Sequence, residues 1–201
     1  MIVDGAPSGD SAPVTCTVSA SLGAATLAGQ QASYDNDMAT PPAPAYYGLA
    51  GALNADATPD LLSIELYKFM GGAFAAGFPT SSTTIQLTGA ETAYDSCAAC
   101  ALIVADYVQG AMPQVYLANA GSMTLTSVST TSMAGSLSNV TFRHVDIADQ
   151  TYATTDNADG CTSTLTSVSF TAVPMAPMAP MRVAPNGTHA DRQTWQLTLR
   201  K

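Results

Sequence analysis

Charge is what this chain has least of. Asp, Glu, Lys and Arg make up 10% of its 201 residues, against roughly 25% in an average soluble domain. Lysine occurs only at Lys68 and Lys201, glutamate only at Glu65 and Glu91, and histidine only at His144 and His189. Six cations against fifteen acids leave a formal charge of −9. Phosphate binding needs clustered Lys and Arg, so no nucleic-acid partner is expected, and an anionic membrane surface is disfavoured on the same ground. No apolar run reaches the ~18 residues of a transmembrane helix, so no membrane span is expected. The opening "MIVDGAPSGDSAP" lacks the basic start and long apolar stretch of a signal peptide; an exported form would then have lost its signal. Long amphipathic helices are missing, and so are the GxSxG and HExxH motifs of common hydrolases.

What the chain does have is 47% hydrophobic residues, enough for a sizeable core and against wholesale disorder. They come in brief runs with period-two alternation, the mark of half-buried strands. "VTCTVSASL" alternates over residues 14–22, and "DLLSIELYKF" puts Leu62, Ile64 and Leu66 on one face. "CALIVADYV" is apolar on both faces and reads as a central strand. "YYGLAGALN", "TTIQLT", "QVYLA", "GSMTLTSVS", "GSLSNVTFRHVD" and "CTSTLTSVSFTAV" complete the set, while the stretch from Gly29 to Pro44, which holds "SYDNDMATPPAP", reads as a long loop. The hexapeptide "TLTSVS" occurs at 124–129 and 164–169, either as equivalent strands or as a product of Ser/Thr-rich composition. About eight to ten short strands with turn signals between them predict an all-β fold, an antiparallel β-sandwich first and a β-barrel second. The organisation read from composition is a polar arm over 1–12, one β domain over 13–173, and a Pro/Met-rich extended tail over 174–201. The tail ends in "TWQLTLRK", where Trp195, Leu197 and Leu199 alternate as a final strand able to dock on this sheet or on a neighbour's edge.

Four cysteines, Cys16, Cys97, Cys100 and Cys161, sit in a Ser/Thr-rich, Lys-poor chain. An even count in that setting predicts two disulfides and an oxidising compartment. Cys97-Ala-Ala-Cys100 has redox spacing, but a thioredoxin-like centre needs a helix after it, and "ALIVADYV" is β-branched and short. A zinc site needs a second Cys or His pair at ligand spacing, which the sequence does not offer. The cysteines therefore read as staples. Long-range pairing of Cys97 and Cys100 with Cys16 and Cys161 is favoured, with a local 97–100 bridge as the alternative.

Candidates for chemistry are few, and the chain reads as non-catalytic. His144, in "NVTFRHVD", reads as a strand histidine that packs or faces solvent. Asp106 is the one carboxylate in an apolar context, either a raised-pKa acid or a strand-end side chain bonded to backbone. Three Asp/Asn loops have the oxygen-rich composition that Ca²⁺ requires: Asp35 and Asp37; Asn54, Asp56 and Asp60; Asp156, Asn157 and Asp159. None fits an EF-hand, and each is also an ordinary Asx-turn pattern. Met175, Met178 and Met181 recur every three residues in "PMAPMAPM", which would align their thioethers on a polyproline II helix. With His189 they form a candidate copper site. "NVT" at 139 and "NGT" at 186 match the glycosylation sequon.

The phrases "DLLSIELYKF", "YDSCAACALIVADY", "GSLSNVTFRHVD" and "DGCTSTLTSVSF" resemble a loose group of uncharacterised secreted proteins of myxobacterial type. The resemblance covers about residues 60–170 and implies export and a β-rich fold; it supplies no activity and no site. The first functional expectation is a non-catalytic β module, secreted, on the cell surface or periplasmic. It would bind, display or assemble through a protein or glycan surface partner or through self-association. A metal binder for copper or calcium is the second expectation, and a hydrolase of unrecognised type the third.

Overall fold

The computed structural model describes residues 15–36, 43–107 and 114–176. Alternation carries through into eleven strands: β1 Ser21–Thr26, β2 Ala28–Asn36, β3 Pro44–Ala52, β4 Leu61–Tyr67, β5 Thr83–Gln86, β6 Ala99–Ala105, β7 Gln114–Ser129, β8 Ser132–Ile147, β9 Thr154–Asp156, β10 Thr162–Ala172 and β11 Pro174–Met175. One turn of 3₁₀ helix, Gly89–Thr92, is the only helical element among the described residues. The protein is all-β.

The ladders give one curled sheet, half-barrel in form, where two stacked sheets were expected. Its strand order is β1-β10-β8-β7-β6-β4-β3-β2-β11, with β5 added to β7 and β9 to β8. Most neighbours are antiparallel, but β1 pairs with β10, and β11 with β2, in parallel. Only Leu27 separates β1 from β2, and only Val173 separates β10 from β11. The two ends of the strand order are therefore drawn from the same two runs of chain, which lie side by side. The curl comes from long, bent strands. β7 and β8 pair over 16 residues each, but their register shifts near Ala120. There Gly121 (φ +108°) faces Asn139 (φ +50°) across the ladder, and such bulges bend a strand and increase its twist.

Curling gives the sheet two unlike faces. The concave face holds the main core, with Leu49, Leu62, Ile64, Leu66, Ile103 and Phe142 all fully buried; each contributes about 1.5–3 kcal/mol. On the convex face a second cluster of Cys97, Cys100, Leu102, Leu117 and Val145 lies under Tyr94 and Tyr152. β6 is consequently buried at every position, as its double-sided apolar run predicts. β4 is half a surprise. Leu62, Ile64 and Leu66 point into the core as expected, but Ser63 and Glu65 on the other face are buried too.

Three sequence expectations change. Residues 15–20 are not strand; Cys16 is held by a disulfide, and regular pairing starts only at Ser21. Residues 29–36, read as loop, belong to β2, because pairing with β3 (Tyr34 opposite Tyr47, Asp35 opposite Tyr46) outweighs the poor strand propensity of Asp and Asn. Pro174 and Met175, placed in the tail, pair with Ala32 and Ser33. The two "TLTSVS" copies lie in β7 and β10, on either side of β8, with Thr124 and Ser169 both opposite Ser136.

Candidate functional site

All four cysteines form disulfides, but not in the favoured pairing. Cys16 bonds Cys161, and Cys97 bonds Cys100. The reason lies in strand periodicity. Cys100 sits on the convex face with Leu102, while Cys161 belongs to the concave core. Side chains on opposite faces of one sheet cannot come within bonding reach, so the local bridge is the only partner left to Cys97 and Cys100. Both are fully buried beneath Tyr94, and strand β6 rather than a helix follows. Neither the exposure nor the helix N-terminus of a reactive dithiol is present.

The two glutamates fasten the segment 88–98 over the convex face. Glu65 is 1% exposed, yet it accepts hydrogen bonds from the hydroxyls of Tyr67 (2.7 Å), Tyr94 (2.9 Å) and Ser63 (3.3 Å). Glu91 accepts from the Ala99 backbone N–H at 2.7 Å. Burial pushes the Glu91 carboxyl above its ordinary range, and bonds from the Ala99 and Ala98 backbone only partly offset this. Buried carboxylates survive only when hydrogen-bonded. With Glu so rare, finding both of its copies in this role makes them structural.

His144 is buried, its backbone in β8. Its ring stacks on Tyr116 at a centroid distance of 5.0 Å, and its Nδ1–H donates to Asp159 Oδ2 at 2.5 Å. The other Asp159 oxygen accepts the Cys161 N–H at 2.8 Å. Burial tends to raise the Asp159 pKa, but the Cys161 N–H and the His144 side chain outweigh it and hold the carboxyl below its usual range. Tyr116 is linked in turn to Thr17, whose hydroxyl lies 3.3 Å from the phenol and donates to Gln114 at 2.7 Å. Sequence reading missed this pair because fifteen residues and a turn separate the partners. The Asp-rich composition of 156–160 pointed to calcium instead.

Of the predicted calcium ligands, Asp35, Asn54, Asp60, Asp156, Asn157 and Asp159 are engaged with the protein itself. Asp35 accepts from the Asn36 N–H. Asn54 closes its own loop, accepting from the Asp60 N–H and donating to the Asp60 carboxylate. Asp156 pairs with Arg143 at 3.1 Å. Asn157 donates to Asp146 and accepts from the Asp159 N–H. Among the described residues no group of three or more His, Cys, Asp or Glu side chains is placed to hold a metal ion. Met175 lies in β11 and is exposed. Asp37, Met178, Met181, His189, Trp195, Leu197 and Leu199 lie outside the described residues.

One surface cleft of about 420 Å³ opens at the end of β2 and β3. It exists because β2 carries an extra residue there: Ala28 faces Ala52 but Gln31 faces Ala50, with Gly29 at φ +59°. A left-handed glycine is what such a bulge requires. Ala28, Gly29, Ala50, Gly51 and Ala52 give the trough a lining of small residues, and Gln31 and Leu61 line it too. Asn54, Asp56, Pro59 and Tyr107 form its rim. Asp60 and Asp106 stand behind that rim. The Asp106 N–H, on a left-handed residue (φ +46°), donates to Asp60 at 3.0 Å, and Thr58 donates to the Asp106 carboxylate. Asp106 is thus an exposed strand-end residue rather than a buried acid. Burial raises the Asp60 pKa; the Asp106 N–H lowers it, and the negative charges of Asp106 and Asp56 raise it further. Among the described residues no cation lines the cleft. An apolar trough with an uncompensated acidic rim is built to hold a cationic or hydroxyl-rich group, not an anion.

No helix among the described residues is long and apolar enough to cross a membrane. No family model, curated protein or solved structure matches the chain.

Proposed function

We propose that this protein is an exported, non-catalytic β module that works at or outside the cell surface in binding, display or assembly. The observation that carries the reading is the disulfide between Cys16 and Cys161, which spans 145 residues of chain. Bonds of this kind form and persist in oxidising compartments and are rare where glutathione keeps thiols reduced. The consumption of all the cysteines in disulfides supports it. So does a surface supplied largely by Ser and Thr, with β10 exposing Thr162, Thr164, Ser167, Ser169 and Thr171 along one face. The resemblance to secreted β-rich proteins of myxobacterial type agrees with export. In this reading His144–Asp159 and the two glutamates hold the structure, and the hydroxyl-lined face of β10 is the surface available for contact.

The test uses protein from its native source, alkylated at once on lysis and fractionated. Intact mass should show no alkylated cysteine before reduction and four after it, in material from the medium, periplasm or cell surface. Four alkylated thiols in a cytosolic fraction would end the proposal.

A further inference from the structure

The described residues carry eleven acidic side chains and two cations, Lys68 and Arg143. Neither cation serves the cleft: Arg143 is committed to Asp156 and the Thr92 carbonyl, and Lys68 follows the far end of β4. Residues 177–201 have the opposite balance, with Arg182, Arg192, Arg200 and Lys201 against Asp191 alone, and they contain the only tryptophan of the chain, Trp195.

We infer that the cleft at the β2 bulge is the docking site of the chain's own basic segment 182–201, with Trp195 over the small-residue trough and the neighbouring arginines against Asp56 and Asp106. The trough is lined largely by Ala and Gly, with Leu61 and Tyr107 beside them, an apolar setting in which a tryptophan can bury a large area. Asp56 on the rim and Asp106 behind it both act on Asp60 as like charges, so a cation beside them relieves a like-charge cost. Length permits it. Met175 pairs with Ser33, four residues along β2 from Gly29 and so roughly 13 Å away at strand rise. The 20 residues from Met175 to Trp195 reach up to ~65 Å when extended. A tether of this size gives a local concentration on the order of millimolar, so the chain's own segment outcompetes that of a second copy in dilute solution. The inference does not depend on export or on the proposed function.

Trp195 is the reporter, read in the full-length oxidised chain. At low ionic strength its emission should be blue-shifted and protected from acrylamide. Raising the salt from about 0.01 M to 1 M shortens the screening length from roughly 30 to 3 Å, and should shift the emission red and abolish the protection. Asp56→Asn with Asp106→Asn should do the same at low salt; Asp56 and Asp106 are exposed, and Asn tolerates the left-handed backbone at 106. Gln31→Arg, another exposed change, places a cation in the cleft and should also release the segment. Far-UV circular dichroism should be unchanged throughout, and the emission independent of protein concentration. A Trp195 freely quenched at low salt, or protected but indifferent to all these charge changes, would overturn the inference. So would protection that appears only as light scattering shows dimers, which would make a second copy the occupant.

Discussion

At the scale of single residues, rarity and role go together. Glu65 and Glu91 are the only glutamates, and both hold the 88–98 segment on β4 and β6. Glu65→Ala removes three hydrogen bonds at once, whereas Tyr94→Phe removes one. At about 1–2 kcal/mol per bond, urea unfolding should show Glu65→Ala costing ~3 kcal/mol or more and Tyr94→Phe near 1–2. Equal losses would mean that Glu65 is not the hub. The carboxyl pKa shifts act in opposite directions. Asp159 lies below its ordinary value in the folded state, so its contribution to stability is present above roughly pH 4 and is lost as pH falls through the folded value. Glu91 is raised, so the folded state holds its proton more tightly, and stability declines as pH rises from about 4 through the raised value. Melting temperatures recorded from pH 3 to 7 should therefore show Glu91→Gln gaining on wild type as pH rises, and Asp159→Asn losing least at the acid end. His144 had read as a lone strand histidine, because nothing in its neighbourhood names a partner fifteen residues on.

Elements show where glycine decides geometry. A Cβ on Gly135 would come within 2.3 Å of the Thr124 carbonyl and 2.6 Å of the Phe170 ring, so β8 meets β7 and β10 closely there only without a side chain. On Gly121 a Cβ would lie 2.6 Å from the Asn139 carbonyl, at a φ of +108°. Gly160 is also left-handed but faces open space. Chemical denaturation of the three Ala variants should therefore rank them. Gly135→Ala and Gly121→Ala should cost about 2–4 kcal/mol through backbone clashes, and Gly160→Ala about 1 through φ alone. A Gly135→Ala as mild as Gly160→Ala would refute the close packing of β8. Alternation revealed the strands themselves, β4 and β6 most clearly. It could not place the bulges at Gly29 and Gly121, since a bulge is fixed by two strands jointly and neither partner announces it alone.

For the whole molecule the two disulfides are unequal. In the chain-entropy account a bridge is worth more the longer the loop it closes, about 4–5 kcal/mol for Cys16–Cys161 and nearer 2 for Cys97–Cys100. Cys16 also holds residues 15–20 to β10, where Ser163 and Thr164 bond the Ser19 and Ala20 carbonyls. Differential scanning calorimetry of Cys16→Ser/Cys161→Ser should show a melting temperature lower by roughly 10 °C, and Cys97→Ser/Cys100→Ser a smaller fall. The reverse order would show that burial of the local bridge under Tyr94 outweighs loop closure. The expected pairing of Cys97 and Cys100 with Cys16 and Cys161 failed at this scale. Counting cysteines cannot reveal which side of a curled sheet each one occupies.

The order of polar and apolar residues by itself determined that this chain is built of strands, that β6 lies at the centre, that Leu62, Ile64 and Leu66 face the core, and that the cysteines are staples. Those properties follow from period-two geometry and side-chain chemistry, which act over a few residues. Only the tertiary structure decided that the strands share one curled sheet, that Cys16 takes Cys161, that His144 meets Asp159, and that three carboxylates gather beside an apolar cleft. Each of these is a contact between segments far apart in the chain, set by register, bulges and face, and none is encoded within any one segment.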